Sequence, residues 1–290
     1  MILGCIDIGS NTTRLLVADA RLRPPREVAA DKVFTHIGTS VDGTGAIPGE
    51  KIAQVAQVVR AQAALARDAG AERLVTVATA VVRHAPNAAA LAAAVKRDAG
   101  LELRVLSGEE EARLSFLGAT RALAEPVSAP LAVIDVGGGS TEIAVGASDQ
   151  AVVWSRSLRI GSGLLADAHL RADPPTTGEL GRVREQVEAT FEGLRPPRVA
   201  SAFAVGGTAT SLRRLVGSEL SGDSLRRGVE VLCRAPAAEI AAGFELDLER
   251  VRLLPAGIMV LAAICERLSC PMRVAQGGLR EGLVAELAGT

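Results

Sequence analysis

The chain has 290 residues, 48% of them hydrophobic and 22% charged, with a formal net charge of −1 at pH 7. That length supports two domains, each with its own core, while the near-neutral balance excludes a general nucleic-acid or anionic-membrane binder, which needs a basic surface. One Trp and no Tyr leave Ala, Leu and Val to build the core, and the four cysteines, Cys5, Cys233, Cys265 and Cys270, stand apart with no zinc-like spacing, so they read as reduced core residues.

Met1 to Ile6 is a buried-strand run with no basic leader or cleavage site before it, so a cytoplasmic protein is expected. Asp7-Ile-Gly-Ser-Asn-Thr12 follows, and Leu15-Leu16-Val17 resumes the apolar pattern. Val28 to Ile37 reads as a third strand and Gly38 to Gly45 as a loop. Pro48 opens a helix over Lys51 to Asp68, whose Ile52, Val55, Val58, Val59 and Leu65 share one face and which Gly70 ends. Arg73 to Thr79 is a strand; Asn87 is placed to cap a helix through Ala99; Leu101 to Leu106 alternates as a strand. Strands separated by helices define an α/β domain. Glu125 to Pro130, with two prolines, marks the boundary, giving domains at 1–124 and 125–278 with the terminal helix 279–290 returning to the first.

In the second half, Val152 to Ile160 and Arg198 to Val205 read as strands, Gly178 to Leu194, Pro236 to Gly243 and Leu248 to Leu268 as helices, and Arg273 to Gln276 as a last strand before Leu279 to Leu287. The most apolar helical stretch, Leu253 to Cys265, contains Pro255 and Gly257 and falls short of the roughly 20 residues of a bilayer span. No membrane partner is expected.

The chemistry gathers at turns. Leu131 to Ile134 delivers Asp135 to a strand end; Gly137, Gly138 and Gly139 allow a tight turn; Ser140, Thr141 and Glu142 open the next apolar run. A lone glycine triplet of this kind is an ordinary hairpin, or else a cradle whose backbone N–H groups and hydroxyls surround a phosphate. Asp7 with Ser10, Asn11 and Thr12 repeats the pattern a domain's length earlier, and that repetition favours an internally duplicated architecture over chance. Asp135 and Glu142, with Asp7, are candidate ligands for Mg²⁺, which takes few carboxylates and keeps water and phosphate oxygens. Gly206-Gly207-Thr208, between a strand and a helix, is a further anion site, and Arg83 a candidate clamp. Ser107 and Glu110 have the S-x-x-E spacing of a capping box, and the acidic run Glu109-Glu110-Glu111 suits a helix N-terminus on its own account. Anchored phosphate oxygens, a cation and a group orienting the nucleophile are what phosphoryl transfer requires.

The segments Asp7–Thr12, Ala78–Asn87, Ser107–Arg113, Asp135–Glu142, Gly206–Thr210, Leu254–Gly257 and Gly278–Gly282, in this order, resemble the exopolyphosphatase and guanosine pentaphosphate phosphatase family from Ile6 to Gly282. The resemblance implies an actin-like fold of two ribonuclease-H-like domains with an interdomain cleft. It also implies Mg²⁺- or Mn²⁺-dependent hydrolysis of the terminal phosphate of polyphosphate or of guanosine 5′-triphosphate 3′-diphosphate, with a homodimer as the candidate assembly. On this pattern the essential glutamate follows Ser-Gly-x and falls on Glu110, which would deprotonate the attacking water, while Glu109 and Glu111 are left as solvated or structural. Longer members append an HD-type domain, and a short two-domain form would favour short polyphosphate chains. The rival readings are an actin-like sugar kinase and a non-catalytic alarmone or polyphosphate sensor.

Overall fold

The first strand alternates between two buried faces: in Ile2–Ile8 (β1), Leu3 and Cys5 enter one apolar cluster and Ile6 and Ile8 another. Burial on both faces makes β1 a central strand with layers on either side. The computed structural model describes residues 1–22, 24–41, 43–125, 127–147 and 152–289. Asp42 of the expected loop and Pro126 of the expected connector lie outside them.

The chain continues through Thr12–Asp19 (β2), Arg26–Phe34 (β3), Ile37–Ser40 (α1), Gly49–Asp68 (α2), Arg73–Ala78 (β4), Ala80–Arg83 (α3), Ala88–Ala99 (α4), Leu103–Val105 (β5) and Gly108–Arg121 (α5). The second half contains Leu131–Val136 (β6), Thr141–Gly146 (β7), Val152–Leu158 (β8), Ser162–His169 (α6), Thr177–Thr190 (α7), Ser201–Val205 (β9), Gly206–Val216 (α8), Glu219–Leu220 (β10), Gly222–Leu232 (α9), Ala237–Phe244 (α10), Leu248–Leu268 (α11) and Met272–Val274 (β11). Leu279–Leu287 (α12) closes it. Two compact units result, Met1–Ala122 with Gly277–Thr290, and Leu123–Gln276.

In the first unit the sheet runs β3-β2-β1-β4-β5; β1, β2 and β3 form an antiparallel meander, and β4 and β5 extend it in parallel. Helices α2 and α4 cover the face carrying Ile6, Ile8, Leu15 and Val17, while Leu114 of α5 and Leu279, Leu283 and Val284 of α12 cover the face carrying Leu3, Cys5, Leu16 and Val77. In the second unit the order is β10-β11-β9-β6-β7-β8, again an antiparallel meander (β6, β7, β8) joined to parallel strands (β9, β11). Its core includes Ile134, Val183, Phe191, Leu212, Leu225 and Ile264. Both units therefore have the ribonuclease-H-like order.

Helices α5 and α12 approach without side chains between them. A Cβ on Gly118 would fall on the Gly278 carbonyl oxygen, and one on Gly282 would fall on the Leu114 carbonyl oxygen. Small residues at a helix contact let the backbones meet. Several local readings change. The third strand ends at Phe34 rather than Ile37, because the Thr35 and His36 N–H groups both donate to the Asn11 carbonyl and His36 takes φ 48°. Asn87 does precede α4, but its amide exchanges two hydrogen bonds with the Ile47 backbone (3.0 and 2.8 Å) instead of capping. The four cysteines are free thiols, with Cys5 buried and the other three half-buried.

Candidate active site

The parallel strands β1, β4 and β5 end side by side, since Ile8 pairs with Ala78 and Ala78 with Val105. Ligands of open α/β sheets bind beyond such carboxyl ends. At this edge of the first unit lie the turn after Asp7, helix α3 with Arg83, and the first turn of α5. The turn is closed by the Gly9 N–H on the Thr12 carbonyl (3.0 Å), and Ser10 is pinned by its own carbonyl, which accepts from Gly38 N–H (2.8 Å). The Thr12 hydroxyl accepts from Arg14 Nε at 3.1 Å. Arg14 stands directly opposite Asp7 across β1 and β2.

Arg83 is not a solvated surface residue: its Nη1 donates to the Leu106 carbonyl (2.7 Å) and to Glu111 Oε2 (3.0 Å), with the two side chains 18% and 11% exposed. Glu110 is held differently. Its backbone N–H donates to Ser107 Oγ (3.1 Å), its Oε2 accepts from Ser107 N–H (2.8 Å), and its Oε1 accepts from Arg104 Nη2 (2.6 Å). The capping box therefore forms. The Arg104 guanidinium and the Ser107 N–H hold this carboxyl at about 2, well below its ordinary value. Both oxygens of this carboxylate are thus engaged, Oε2 in the cap and Oε1 by Arg104. The neighbouring Glu111, left aside in the sequence reading, is buried and faces the arginine of the Ala78–Asn87 segment. One signal for it was present in the sequence: Glu111, Leu114, Ser115 and Gly118 follow the i, i+3, i+4, i+7 stripe that α5 turns inward.

The second unit repeats the geometry. Gly137 N–H closes its turn on the Ser140 carbonyl (2.9 Å), and Asp135 pairs with Val205 at the end of β9 as Asp7 pairs with Val77 at the end of β4. The glycines serve close approach rather than a left-handed backbone, since Gly137, Gly138 and Gly139 are not among the positive-φ glycines of the described residues. A Cβ on Gly161 would lie 2.6 Å from the Gly138 carbonyl group, and α6 seats on the turn through Ser162 and Leu164 N–H donating to the Gly137 and Gly138 carbonyls. The hydroxyl protons of Thr141 and Thr208 go to the Ile160 and Val136 carbonyls (2.6 and 2.8 Å), so these buried side chains brace the turn. Thr208 in turn rests on Gly257 of α11, where a Cβ would come within 2.5 Å of its methyl group. At the start of α8, Gly206 (φ +79°) lies against the Asp135 carboxylate, which would overlap any Cβ there; Gly207 is the next residue of that first turn.

Where Asp7 faces Arg14, Asp135 faces Glu142. Glu142 is 2% exposed, and its Oε1 accepts from Ser157 Oγ at 2.7 Å. Like charges placed opposite one another on a sheet destabilise it unless a cation answers them. Among the described residues no three His, Cys, Asp or Glu gather as a metal cage; a pair of carboxylates is the donor set that suits Mg²⁺ with its retained waters. Among the same residues no helix is long and apolar enough to cross a membrane.

Residues 16–290 match the model of the Ppx/GppA phosphatase family. Exopolyphosphatase 1 of Mycobacterium tuberculosis is 30% identical over 98% of this chain and 87% of its own length. Exopolyphosphatase 2 of the same organism is 34% identical over 82% and 77%. The crystal structure of the Aquifex aeolicus Ppx/GppA family member superimposes with a TM-score of 0.81 at 29% identity, covering 100% of this chain and 98% of that one. An exopolyphosphatase from Cytophaga hutchinsonii, at 21% identity and a TM-score of 0.85 over 100% and 99%, shares the fold. With two ribonuclease-H-like units and a match over nearly its whole length, this chain belongs to the Ppx/GppA phosphatase family and is a hydrolase of the actin-like fold.

Proposed function

We propose that the protein is an exopolyphosphatase that removes the terminal phosphate of linear polyphosphate by attack of water, with Glu111 as the general base. The observation that carries this reading is the Arg83–Glu111 pair at the carboxyl edge of β1, β4 and β5. A buried carboxylate beside a guanidinium combines a proton acceptor with an anion clamp, the two groups that water attack on a phosphoric anhydride needs from side chains. The names of the mycobacterial relatives support the substrate class.

The Gly138, Gly139 and Ser140 N–H groups and the Gly207 N–H at the start of α8 bind phosphate oxygens, and Ser10, Asn11 and Thr12 offer the equivalent turn of the first unit. Thr141 and Thr208 contribute by bracing these backbones. Asp135 and Glu142 would hold a divalent cation, Mg²⁺ or Mn²⁺, which when bound offsets charge on the transferring phosphoryl group. Asp7, opposite Arg14 in the register of β1 and β2, is assigned to the turn of the first unit rather than to this cation. Glu110 caps the helix that presents Glu111.

Purified protein with Mg²⁺ should release orthophosphate from polyphosphate in preference to guanosine 5′-triphosphate 3′-diphosphate, with turnover compared across chain lengths. Preference for the guanosine substrate would move the assignment to the family's other activity. Binding of either without phosphate release would make the protein a sensor, and phosphate transfer to a sugar would make it a kinase.

A further inference from the structure

Four charged side chains tie the terminal helix to the turn that presents Glu111. Arg104, the exposed middle residue of β5, donates through Nη2 to Glu110 (2.6 Å) and through Nη1 to Glu286 of α12 (3.2 Å). The other oxygen of Glu286 accepts from Arg113, one helical turn along α5 from Glu110. Glu286 is thus the one member that bonds both arginines, and it reaches them from a helix distant in sequence. Glu110 transmits the arrangement further, because its carboxylate closes the capping box on Ser107 and Glu111 is the next residue.

The helix carrying Glu286 is itself tightly seated. The Gly118–Gly278 and Gly282–Leu114 approaches leave no flexible side chain at that contact. Arg280 Nη1 donates to the Leu15 carbonyl of β2 (3.3 Å), and the Arg280 carbonyl accepts from the Cys5 thiol (3.5 Å). A helix anchored to β1 and β2 in this way is a fixed support from which to set the first turn of α5.

We propose that Glu286 is a positioning residue of the phosphatase: through Arg104 and Arg113 it fixes the first turn of α5 and so the direction in which Glu111 points. The inference rests on the assignment of Glu111 as the general base. Catalysis depends on sub-ångström placement of such a group, whereas substrate affinity set by turns elsewhere does not. Loss of the Glu286 charge therefore lowers kcat and leaves KM in place.

The test is Glu286→Gln in the full chain, with Arg104→Gln and the double variant, assayed for polyphosphate hydrolysis well below the thermal midpoint. Glu286→Gln is expected to lower kcat roughly three- to tenfold, the size of an effect carried through a network rather than on the reacting atoms. KM stays within about twofold, and the double variant is no worse than the more impaired single one, as members of one network are non-additive. An unchanged kcat, a KM that rises in step, or losses that multiply in the double variant would overturn the inference. Glu111→Gln, assayed alongside, separates the two levels. If it is inactive while Glu286→Gln is normal, only the positioning role fails; if it retains full activity, the assignment of the base fails and the positioning role with it.

Discussion

Glu110 and Glu111 are adjacent, and replacing each by Gln separates a helix cap from a catalytic base. Gln at position 110 keeps the reciprocal capping bonds, since S-x-x-Q closes the box as S-x-x-E does, and loses only the charge facing Arg104. Both of those side chains are more than a third exposed, at 37% and 47%, so the lost pair is worth about 0.5 kcal/mol and the thermal midpoint should fall by less than about 2 °C. Activity should fall by no more than about tenfold, the range of the charge network it belongs to. Gln at position 111 is nearly isosteric and can still accept from Arg83, but it cannot take a proton from water. General bases typically contribute 10²- to 10⁴-fold, so kcat should drop by about that factor with KM little changed. Leaving a mostly buried guanidinium without its counter-charge costs about 1–2 kcal/mol, seen as a shift of a few degrees. The assay is steady-state phosphate release paired with thermal melts of both variants. An inactive Glu110→Gln beside an active Glu111→Gln would refute the reasoning and return the base to position 110.

Three further outcomes follow from the same geometry. Glu110 and Glu179 are both held at about 2, Glu110 by the Arg104 guanidinium and Ser107 N–H, Glu179 by the Thr176, Ala172 and Arg171 N–H groups. The stability they confer is complete above the ordinary glutamate value and is lost as pH falls through the folded value, so between about pH 4.5 and 2 wild type should lose urea resistance faster than Glu110→Gln or Glu179→Gln; parallel losses would contradict this. Gly118→Ala drives a methyl group into the Gly278 carbonyl and must part α5 from α12, destabilising the protein by about 1–3 kcal/mol in denaturant titrations; an unchanged midpoint would mean that the helices part freely. Glu142→Gln should weaken Mn²⁺ binding at least tenfold by calorimetry in the absence of substrate, while Asp7→Asn leaves it nearly unchanged; the reverse ranking would exchange the roles of the two turns.

The duplicated turns were legible because each lies between apolar runs that bury both faces of a strand, and a period of two with a glycine break is a local signal. Most helices were legible for the same reason: α2 and α7 show apolar stripes. The short β10 strand and α9 were not drawn out. Ser221 and Ser224 form a capping box in which a serine hydroxyl replaces the usual glutamate, donating to the Glu219 carbonyl and accepting from Ser221 N–H (2.9 Å), a pattern outside the S-x-x-E template. The choice between Glu110 and Glu111 turned on direction. Both satisfy an acidic helix start; the S-x-x-E spacing turns Glu110 back over Ser107 and the helical stripe turns Glu111 inward, but that Glu111 there meets Arg83 follows only from the packing of α5 against α3 and β5. Likewise the roles of Gly257 and Gly282 follow from contacts with Thr208 and Leu114, which no local pattern encodes.

The most direct test of the central claim is hydrolysis of polyphosphate in H₂¹⁸O with Mg²⁺, followed by mass analysis of the products. Water attack on the terminal phosphorus predicts one ¹⁸O in each orthophosphate released, with chains shortened one unit at a time and no label in the remaining polymer. Unlabelled orthophosphate, label retained in shortened chains, or cleavage at internal linkages would contradict it.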